Sequence, residues 1–505
     1  MRRAAPYVLI GFFKLLFAFI CGHINTMTFS FYWHDYETWG ADPRRDRASQ
    51  FAGVRTDADL NPVGDPLVIY CKPSDDMLPQ PEACLVTGIT PQTALREGLV
   101  EAEFVRRIHQ QLSAAETCGV GYNTIRFDDE VTRNTLYRNF YDPYAREWQH
   151  GSSRWDIIDM VRLTHALRPE GIEWPQNEAG VTSFRLEALS AANNISHESA
   201  HDALSDVYAT IELARLIKQR QPKLYDYLFK SRKKNVIAER LNLQKRQAVL
   251  HVSSMYPAAL GCIAMVVPLL KHPANPNGVI VYDLRHDPEP LFGLSEEVLH
   301  ERLFTPGADL PEGVERIPLK TVHINKCPVV VPLSTLTEDA AKRWCIDPRQ
   351  GEAYRQRLLA EPAFIGKIAN IHKRSGFEPI SDPDQALYSG GFFSRDDRQR
   401  MDAILATEPA SLAQFPLVFD DTRLPEMLFR YRARNWPELL SVEENQRWQE
   451  YREARLLDPD GGGSITLSEY LARLDDLETD PTLMPEKRDL ISQLLSWAER
   501  IAPEI

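Results

Sequence analysis

The 505-residue sequence has no Cys-x-x-Cys pair, no internal repeat, no low-complexity tract and no excess of positive charge. Its seven cysteines are an odd, dispersed set, which excludes a disulfide framework or a cysteine-based zinc site and predicts buried thiols in a reducing compartment. The net charge of −13 excludes a nucleic-acid binder driven by total charge, although basic patches beside an acidic metal site are compatible with it. What is present is an ordinary globular composition, with 43% hydrophobic and 26% charged residues and enough length for about two to four domains.

The N-terminal segment differs from the rest of the chain. Two arginines precede a hydrophobic run, as in a signal peptide, but Lys14 interrupts the run and no small-x-small cleavage site follows. A start at Met27 would open directly on a strand. We therefore interpret residues 1–27 as a non-native leader or misplaced start, with an export or anchor sequence as the alternative. The first interpretation predicts a cytoplasmic protein without a membrane partner.

Three segments differ in their hydrophobic patterning. Between residues 28 and 220, strand-like apolar runs alternate with helical spacing, which predicts an α/β domain. Over 221–376, short apolar runs separated by Pro, Asn and Gly predict a β-rich domain. Acidic amphipathic segments predict a helical domain over 377–505. The basic stretch 229–246 is either a solvated helix face or part of a binding channel.

Carboxylates lie on or just after the predicted buried strands of the first segment. Asp35 and Glu37 stand two positions apart in "FYWHDYETWG", and therefore on one face of a strand. Asp128 follows a second strand at the start of a helix, and Asp206 lies five residues after His201 in "HESAHDALSD". Each has an ordinary explanation when taken alone, such as a helix N-cap for Asp128. Together they predict a metal site, because hard divalent cations prefer carboxylate oxygens.

The order of these residues resembles the DEDDh family of 3′→5′ exonucleases. Longer motifs are similar to the exodeoxyribonuclease I branch of that family, from about residue 28 to the C-terminus: "NTIRFDDEVTRN", "YRNFYDPYAREWQHGSSRWDIIDMVR", "HESAHDALSDVYATI", "HINKCPV" and "MLFRYRARNWP". The resemblance implies an α/β, ribonuclease H-like exonuclease domain with a mixed sheet flanked by helices. An SH3-like β-rich domain and an α-helical C-terminal domain would follow it.

The resemblance also implies a catalytic set. The residues that would hold two Mg²⁺ ions, with Mn²⁺ as a substitute, are Asp35, Glu37, Asp128 and Asp206. His201 would be the general base, since an imidazole titrates near neutral pH. Asp129 is the alternative to Asp128 as the metal-binding aspartate of this motif, and alignment with the motif favours Asp128. The implied activity is processive 3′→5′ degradation of single-stranded DNA to 5′-mononucleotides, by a monomer that acts in DNA repair and recombination.

Aromatic and basic residues interleave between residues 138 and 155, a pattern typical of single-stranded nucleic-acid binding. The alternative for this segment is a packed aromatic cluster with solvated arginines. The residues expected to contact the DNA strand are Glu37, Arg133, Tyr144, Trp148, Arg162 and Arg185. Arg168 and Tyr227 are expected to bind the C-terminal tail of single-stranded DNA-binding protein, a partner implied by the resemblance.

Two rival functions share features with this interpretation. A DEDDh ribonuclease or proofreading subunit would have the same acidic residues, but the long extension beyond residue 220 argues against it. A non-catalytic DNA-binding scaffold predicts a broken acidic set, which is intact here. The loop "DPDGGGSITLSE" (458–469) resembles a calcium-binding loop, yet Gly462 offers no side-chain oxygen at its fifth position. We interpret it as a glycine-rich loop before a helix capped by Thr466 and Glu469.

Overall fold

A computed structural model describes residues 29–197, 202–373, 380–416 and 418–503. The proposed leader, residues 1–27, and the predicted general base His201 lie outside these ranges. Across the described residues, no helix combines the length and apolar character that a membrane span requires. Four described cysteines are buried, but Cys327 is partly exposed and Cys345 is exposed, so the expectation of buried thiols is wrong for these two.

The first sheet has five strands in the order β3-β2-β1-β4-β5. The strands are β1 (Ser30–Thr38), β2 (Ala48–Thr56), β3 (Leu67–Tyr70), β4 (Thr117–Gly121) and β5 (Ser153–Asp156). The central strand β1 runs antiparallel to β2 and parallel to β4, and Trp33 opposite Val120 is its last parallel pair. This mixed sheet confirms the predicted α/β, ribonuclease H-like exonuclease domain.

Helices cover both faces of this sheet or extend from it. They are α1 (Pro81–Thr87), α2 (Pro91–Glu97), α3 (Glu101–Leu112), α4 (Asp128–Arg138), α5 (Ile158–Leu167), α6 (Leu186–Ala192), α7 (Ala203–Arg220), α8 (Pro222–Ser231) and α9 (Lys234–Arg240). Helix α7 packs on β1, with Val207 and Ile211 in the same core as Phe31 and Trp33. Asp202 caps α7 by accepting a hydrogen bond from the Ser205 amide, which fixes where the helix begins.

The second sheet is antiparallel throughout, in the order β10-β6-β7-β8-β9. Its strands are β6 (Val249–Val252), β7 (Ile263–Lys271), β8 (Gly278–Asp283), β9 (Leu319–His323) and β10 (Val329–Pro332). Its helices are α10 (Glu289–Phe292), α11 (Glu296–Phe304), α12 (Glu338–Arg343), α13 (Pro348–Ala360) and α14 (Pro362–Ile371). The strands confirm the predicted β-rich domain, and α13 and α14 pack against β7.

The C-terminal part is helical, as predicted. Its helices are α15 (Arg395–Ala406), α16 (Leu424–Asn435), α17 (Val442–Leu457), α18 (Leu467–Thr479) and α19 (Pro485–Ile501). Helix α18 begins with a capping box made by Thr466 and Glu469, which confirms the helical interpretation of that loop. Helices α18 and α19 pack on α1 and α2, and Trp39 and Trp497 share one core, so the first and last parts of the chain are joined.

Candidate active site

Three carboxylates converge at the C-terminal end of β1. Asp35 and Glu37 lie on one face of the strand, and Asp206 reaches them from the first turn of α7. One oxygen from each lies within 4.8 Å of the other two. The pairing of β1 with β4 ends at Trp33, so the strand end that carries the carboxylates has no parallel neighbour. Among the described residues, this is the one group of three or more Asp, Glu, His or Cys side chains close enough to share a metal ion.

Asp128 lies beside this group, at the start of α4. Its Oδ1 accepts a hydrogen bond from the Tyr36 amide at 3.1 Å, which ties the helix to β1. The neighbouring Asp129 binds two arginines instead. Its two carboxylate oxygens accept hydrogen bonds from Arg146 at 2.6 Å and from Arg154 at 2.8 Å. A carboxylate neutralised by two buried arginines is a poor metal ligand, and this supports Asp128 over Asp129 as the fourth acidic residue.

Burial and mutual repulsion raise the pKa of these carboxyl groups. Desolvation, followed by the charges of Asp128, Glu37 and Asp206, holds the pKa of Asp35 well above its usual range. Burial and then Asp206 raise the pKa of Glu37 to about 8, and burial raises the pKa of Asp128 to about 8. Several like charges in a low-dielectric site are stable together only with a positive charge among them, so these residues fit a divalent cation.

His197 is a site residue that the sequence analysis missed. Its Nε2 contacts Oδ1 of Asp206, although it lies nine positions earlier in a loop. A single histidine in a loop has no periodic pattern, so only the folded chain brings it to the acidic group. The predicted general base His201 is four residues further on, outside the described residues.

Three adjoining cavities, together called the groove, lead away from the carboxylates. Asp35 and Asp206 line a cavity of about 550 Å³, together with residues of the second domain such as Tyr256. This cavity shares Asn123 with a second of about 440 Å³, which in turn shares Arg126 with a third of about 1680 Å³. The third cavity is also lined by Tyr388 and Phe392, so all three parts of the chain contribute to the groove.

The structure distributes the predicted strand contacts along this groove. Arg162 and Arg185 line the cavity that holds Asp35. Tyr144 and Trp148 line the large cavity, where the Trp148 side chain is 67% exposed. Arg133 reaches the same cavity, but its guanidinium is buried between Glu130 and Glu147, which accept from it at 2.8 Å and 2.7 Å.

The other arginines of segment 138–155 are internal. Arg138 pairs with Glu101 at 2.7 Å, and Arg146 and Arg154 bind Asp129, all within the protein. The alternative of solvated arginines is therefore wrong for these three residues. In segment 138–155 the basic residues thus form buried ion pairs, and the aromatic residues between them are mostly packed inside the protein. Of the aromatic residues, Trp148 is the exposed one.

Arg168 and Tyr227 border one stretch of the second domain. Arg168 donates to the Thr335 carbonyl at 3.3 Å, just beyond β10. Arg240 lies 4.6 Å above the Tyr227 ring and donates to the Val330 carbonyl, within β10. Arg168 thus lies next to the end of β10, and Tyr227 of α8 is linked to β10 through Arg240.

Comparisons with known proteins cover nearly the whole chain. The family model "Exonuclease" matches residues 32–214, "Exonuclease I SH3-like domain" matches 232–374, and "Exonuclease I C-terminal domain" matches 381–501. Exodeoxyribonuclease I of Escherichia coli is 46% identical over 474 residues, which are 94% of this chain and 98% of that protein.

Solved structures agree in fold over the same length. A moderately thermophilic exonuclease I from Methylocaldum szegediense is 54% identical with a TM-score of 0.90, covering 94% of this chain and 99% of that one. The zinc-bound complex of E. coli exonuclease I with single-stranded DNA is 45% identical with a TM-score of 0.89, covering 94% of this chain and 100% of that one. The acidic residues, the three-part architecture and these matches together place the chain in the exonuclease I family.

Proposed function

We propose that this protein removes nucleotides processively from the 3′ end of single-stranded DNA and releases 5′-mononucleotides, as a monomer in the cytoplasm that serves DNA repair and recombination. The observation that carries the proposal is the group of Asp35, Glu37 and Asp206 at one end of a groove lined by all three domains. We propose domain boundaries near residues 220 and 376.

The charges along the groove suit a nucleic-acid backbone although the whole chain is acidic. The large cavity is lined by Lys230, Lys233, Lys234 and Lys326, and none of their ammonium groups pairs with a carboxylate among the described residues. Exposed aromatic rings accompany these lysines at Trp148 and Phe392. Single strands are bound by this combination of cations for phosphates and rings for bases.

The chemistry assigned to the site residues is hydrolysis of a phosphodiester. Asp35, Glu37, Asp128 and Asp206 would hold two divalent cations, proposed to be Mg²⁺ with Mn²⁺ as a substitute, which would supply an activated water and charge stabilisation for the leaving oxygen. The role proposed for His201 is to take the proton of the attacking water. Arg162 and Arg185, on the same cavity as Asp35, are proposed to hold the terminal nucleotide.

A cleavage assay tests the proposal. A single-stranded DNA oligonucleotide labelled at its 5′ end is incubated with the protein in Mg²⁺ or EDTA, beside a matching RNA, a blunt duplex and the Asp35→Ala variant. We expect Mg²⁺-dependent shortening from the 3′ end of the single-stranded DNA alone. Asp59→Ala is the matched control, because Asp59 is an exposed carboxylate paired with Lys218, and it is expected to cut normally.

Each departure from this result has a distinct meaning. Faster shortening of the RNA would favour the ribonuclease alternative. Binding without any cutting would favour the scaffold. Cutting that survives in Asp35→Ala would contradict the assignment of the acidic residues.

Trp148 gives a test of the strand path that does not depend on catalysis. Because its ring is exposed, Trp148→Ala is expected to weaken single-strand binding by about 1–3 kcal/mol, the value of a stacked base, without changing the melting temperature. The measurement is fluorescence anisotropy in EDTA. Val442→Ala, at another exposed apolar side chain, is the control and is expected to bind as the wild type does. If Trp148→Ala bound the single strand as tightly as the wild type does, the proposed contact between Trp148 and the DNA would be wrong.

We also propose that Arg168 and Tyr227 bind the acidic C-terminal tail of single-stranded DNA-binding protein. The proposal is supported by a matched structure, 43% identical with a TM-score of 0.86, that is described as SSB/exonuclease I with an inhibitor. A peptide with the tail sequence is expected to bind the wild type and to lose affinity in Arg168→Ala. Arg96→Ala, at an exposed arginine of α2, should bind the peptide normally. Equal binding by the two variants would contradict the assignment.

A further inference from the structure

One wall of the cavity that contains Asp35 is built by residues 182–185, an irregular stretch just before α6 that we call the wall segment. Three of its four residues, Thr182, Phe184 and Arg185, line the cavity. The Arg185 side chain is exposed, so little packing fixes it directly. Where its guanidinium lies relative to Asp35 therefore depends on how the backbone of the wall segment is held.

Two side chains of the nuclease domain anchor the wall segment by hydrogen bonds. The Tyr122 hydroxyl donates to the Phe184 carbonyl at 2.5 Å. Nε2 of His165 lies 3.0 Å from Oγ1 of Thr182. The turn that precedes the segment, residues 177–181, has its own internal hydrogen bonds. The position of the wall therefore depends on the tyrosine at the end of β4 and on the histidine of α5.

His165 is buried where three parts of the structure meet. Its ring centre lies 5.0 Å from that of Trp174 and 5.4 Å from that of Phe184. On the other side, 5.3 Å away, is the ring of Trp344 from the second domain. The Trp344 indole donates to the Ala166 carbonyl at 2.8 Å, so it is itself fixed on α5. The imidazole is therefore held in one place and can hold its hydrogen-bond partner there.

The His165 ring acts as a neutral group. Burial, and then the charge of Arg343, lower the pKa of His165 to about 4, so the ring is uncharged where cleavage is measured. Within the described ranges its Nδ1 has no hydrogen-bond partner. The hydrogen bond to Thr182 is thus the polar link between the wall segment and α5. The same helix carries Arg162, whose guanidinium lies 5.8 Å from the centre of the Phe184 ring.

We propose that His165 is a positioning residue, which through Thr182 holds Arg185 against the terminal nucleotide of the strand. The inference rests on the proposed function, because it assumes that Arg185 contacts this nucleotide. One hydrogen bond of this kind changes an equilibrium by about three- to tenfold, and that is the expected effect on binding of the terminal nucleotide. A long strand would also occupy the large cavity, which has different lining residues, and should be affected less.

The first test uses Thr182, because valine has nearly the shape of threonine without its hydroxyl. Cleavage of a trinucleotide and of a long single strand is measured in Mg²⁺. For the trinucleotide, Thr182→Val is expected to raise KM about three- to tenfold and to leave kcat within about twofold. For the long strand, both constants should stay within about twofold of the wild type. Thr182→Ser keeps the hydroxyl and is expected to restore the KM of the trinucleotide.

Two double variants test how the effect reaches the substrate. His165→Phe keeps an aromatic ring and loses the hydrogen bond, so combining it with Thr182→Val should be no worse than either change alone. Thr182→Val combined with Arg185→Gln should be no worse than Arg185→Gln alone, because the guanidinium to be positioned is then absent. Effects on KM that multiply in either double variant would overturn the proposed route.

Thr479→Val is the matched control. The Thr479 hydroxyl donates to the Asp475 carbonyl at 3.0 Å on the exposed side of α18, in the third domain. This variant loses the same kind of group and is expected to keep the wild-type KM and kcat on both substrates.

The outcomes separate this inference from the proposed function. If the wild type cuts single strands while Thr182→Val keeps its KM for the trinucleotide, or loses only kcat, the role of His165 is wrong and the exonuclease proposal stands. If the wild type does not cut single strands, both proposals are wrong. A raised KM confined to the trinucleotide, restored by Thr182→Ser, supports the positioning role.

Discussion

Asp35 belongs to a group of carboxylates whose repulsion opposes folding unless a cation is present. Its pKa is raised in the folded protein, so the folded state keeps a proton that the unfolded chain releases near pH 4. The pKa values of Glu37 and Asp128 are raised as well, to about 8, so between about pH 4 and pH 8 the folded state binds more protons than the unfolded state. The stability of the metal-free protein is expected to fall as the pH rises over this range.

Asp35→Asn is expected to abolish cleavage and, at pH 8 in EDTA, to raise the melting temperature above that of the wild type. The amide cannot ionise, so it removes one charge from the group. Thermal unfolding at pH 5 and pH 8 measures both the increase and its pH dependence. Asp59→Asn, at an exposed carboxylate, controls for the loss of one charge. A lower melting temperature for Asp35→Asn at pH 8 would contradict this account.

Asp129 stabilises the fold, in contrast to its neighbour Asp128. Its pKa is held well below its usual range because Arg154 and Arg146 outweigh the effect of burial. Asp129→Asn leaves two buried guanidinium groups short of a counter-charge and is expected to cost about 3–5 kcal/mol of unfolding free energy. Urea denaturation measures this cost. Asp142→Asn, on the nearby surface loop, should change the unfolding free energy little, and equal losses in the two variants would contradict the assignment.

At the scale of single elements, sequence pattern was a reliable guide. Strand β1 and the start of α18 are found where the apolar run around Asp35 and the Thr-x-x-Glu box predict them. Such signals are local, because a helix start is fixed by hydrogen bonds between residues two or three positions apart. Helices α13 and α14 were missed, since short runs between prolines in a β-rich segment resemble turns.

The capping box of α18 gives a prediction for one element. Thr466→Ala removes the hydroxyl that accepts from the Glu469 amide and is expected to cost about 1 kcal/mol of unfolding free energy. Thr466→Ser retains the oxygen and should recover most of the loss. Chemical denaturation of the two variants measures the difference. Equal stability of Thr466→Ala and the wild type would show that the box contributes nothing.

At the scale of the whole molecule, a buried network of ion pairs joins the first and third domains. Arg434 of α16 binds Asp76 of the nuclease part at 3.1 Å and Asp384 of the C-terminal part at 2.6 Å. Arg47 pairs with the same Asp76 at 2.8 Å. Because these groups are almost fully buried, the two domains are held together by charges that water does not screen.

Arg434→Met is expected to lower the unfolding free energy by about 3–5 kcal/mol, since Asp384 and Asp76 each lose a partner in a buried site. If the joined domains keep the strand enclosed, the variant should also release its substrate after fewer cleavages, measured with unlabelled DNA as a trap. Arg447→Met changes an exposed arginine and is the control. If Arg434→Met were destabilised but made as many cleavages per binding event as the wild type, the link between domain docking and processivity would be contradicted.

The sequence by itself determined the strand that carries Asp35 and Glu37, the helix that carries Asp206, and the motifs that identify the exonuclease I family. These depend on residues close together in the chain, whose spacing fixes the face that they share. Only the tertiary structure decided that Arg146 and Arg154 neutralise Asp129, that His197 contacts Asp206, and that Trp344 of the second domain packs on His165. Those contacts join residues nine to more than a hundred positions apart or depend on burial, and both are set by how the domains pack.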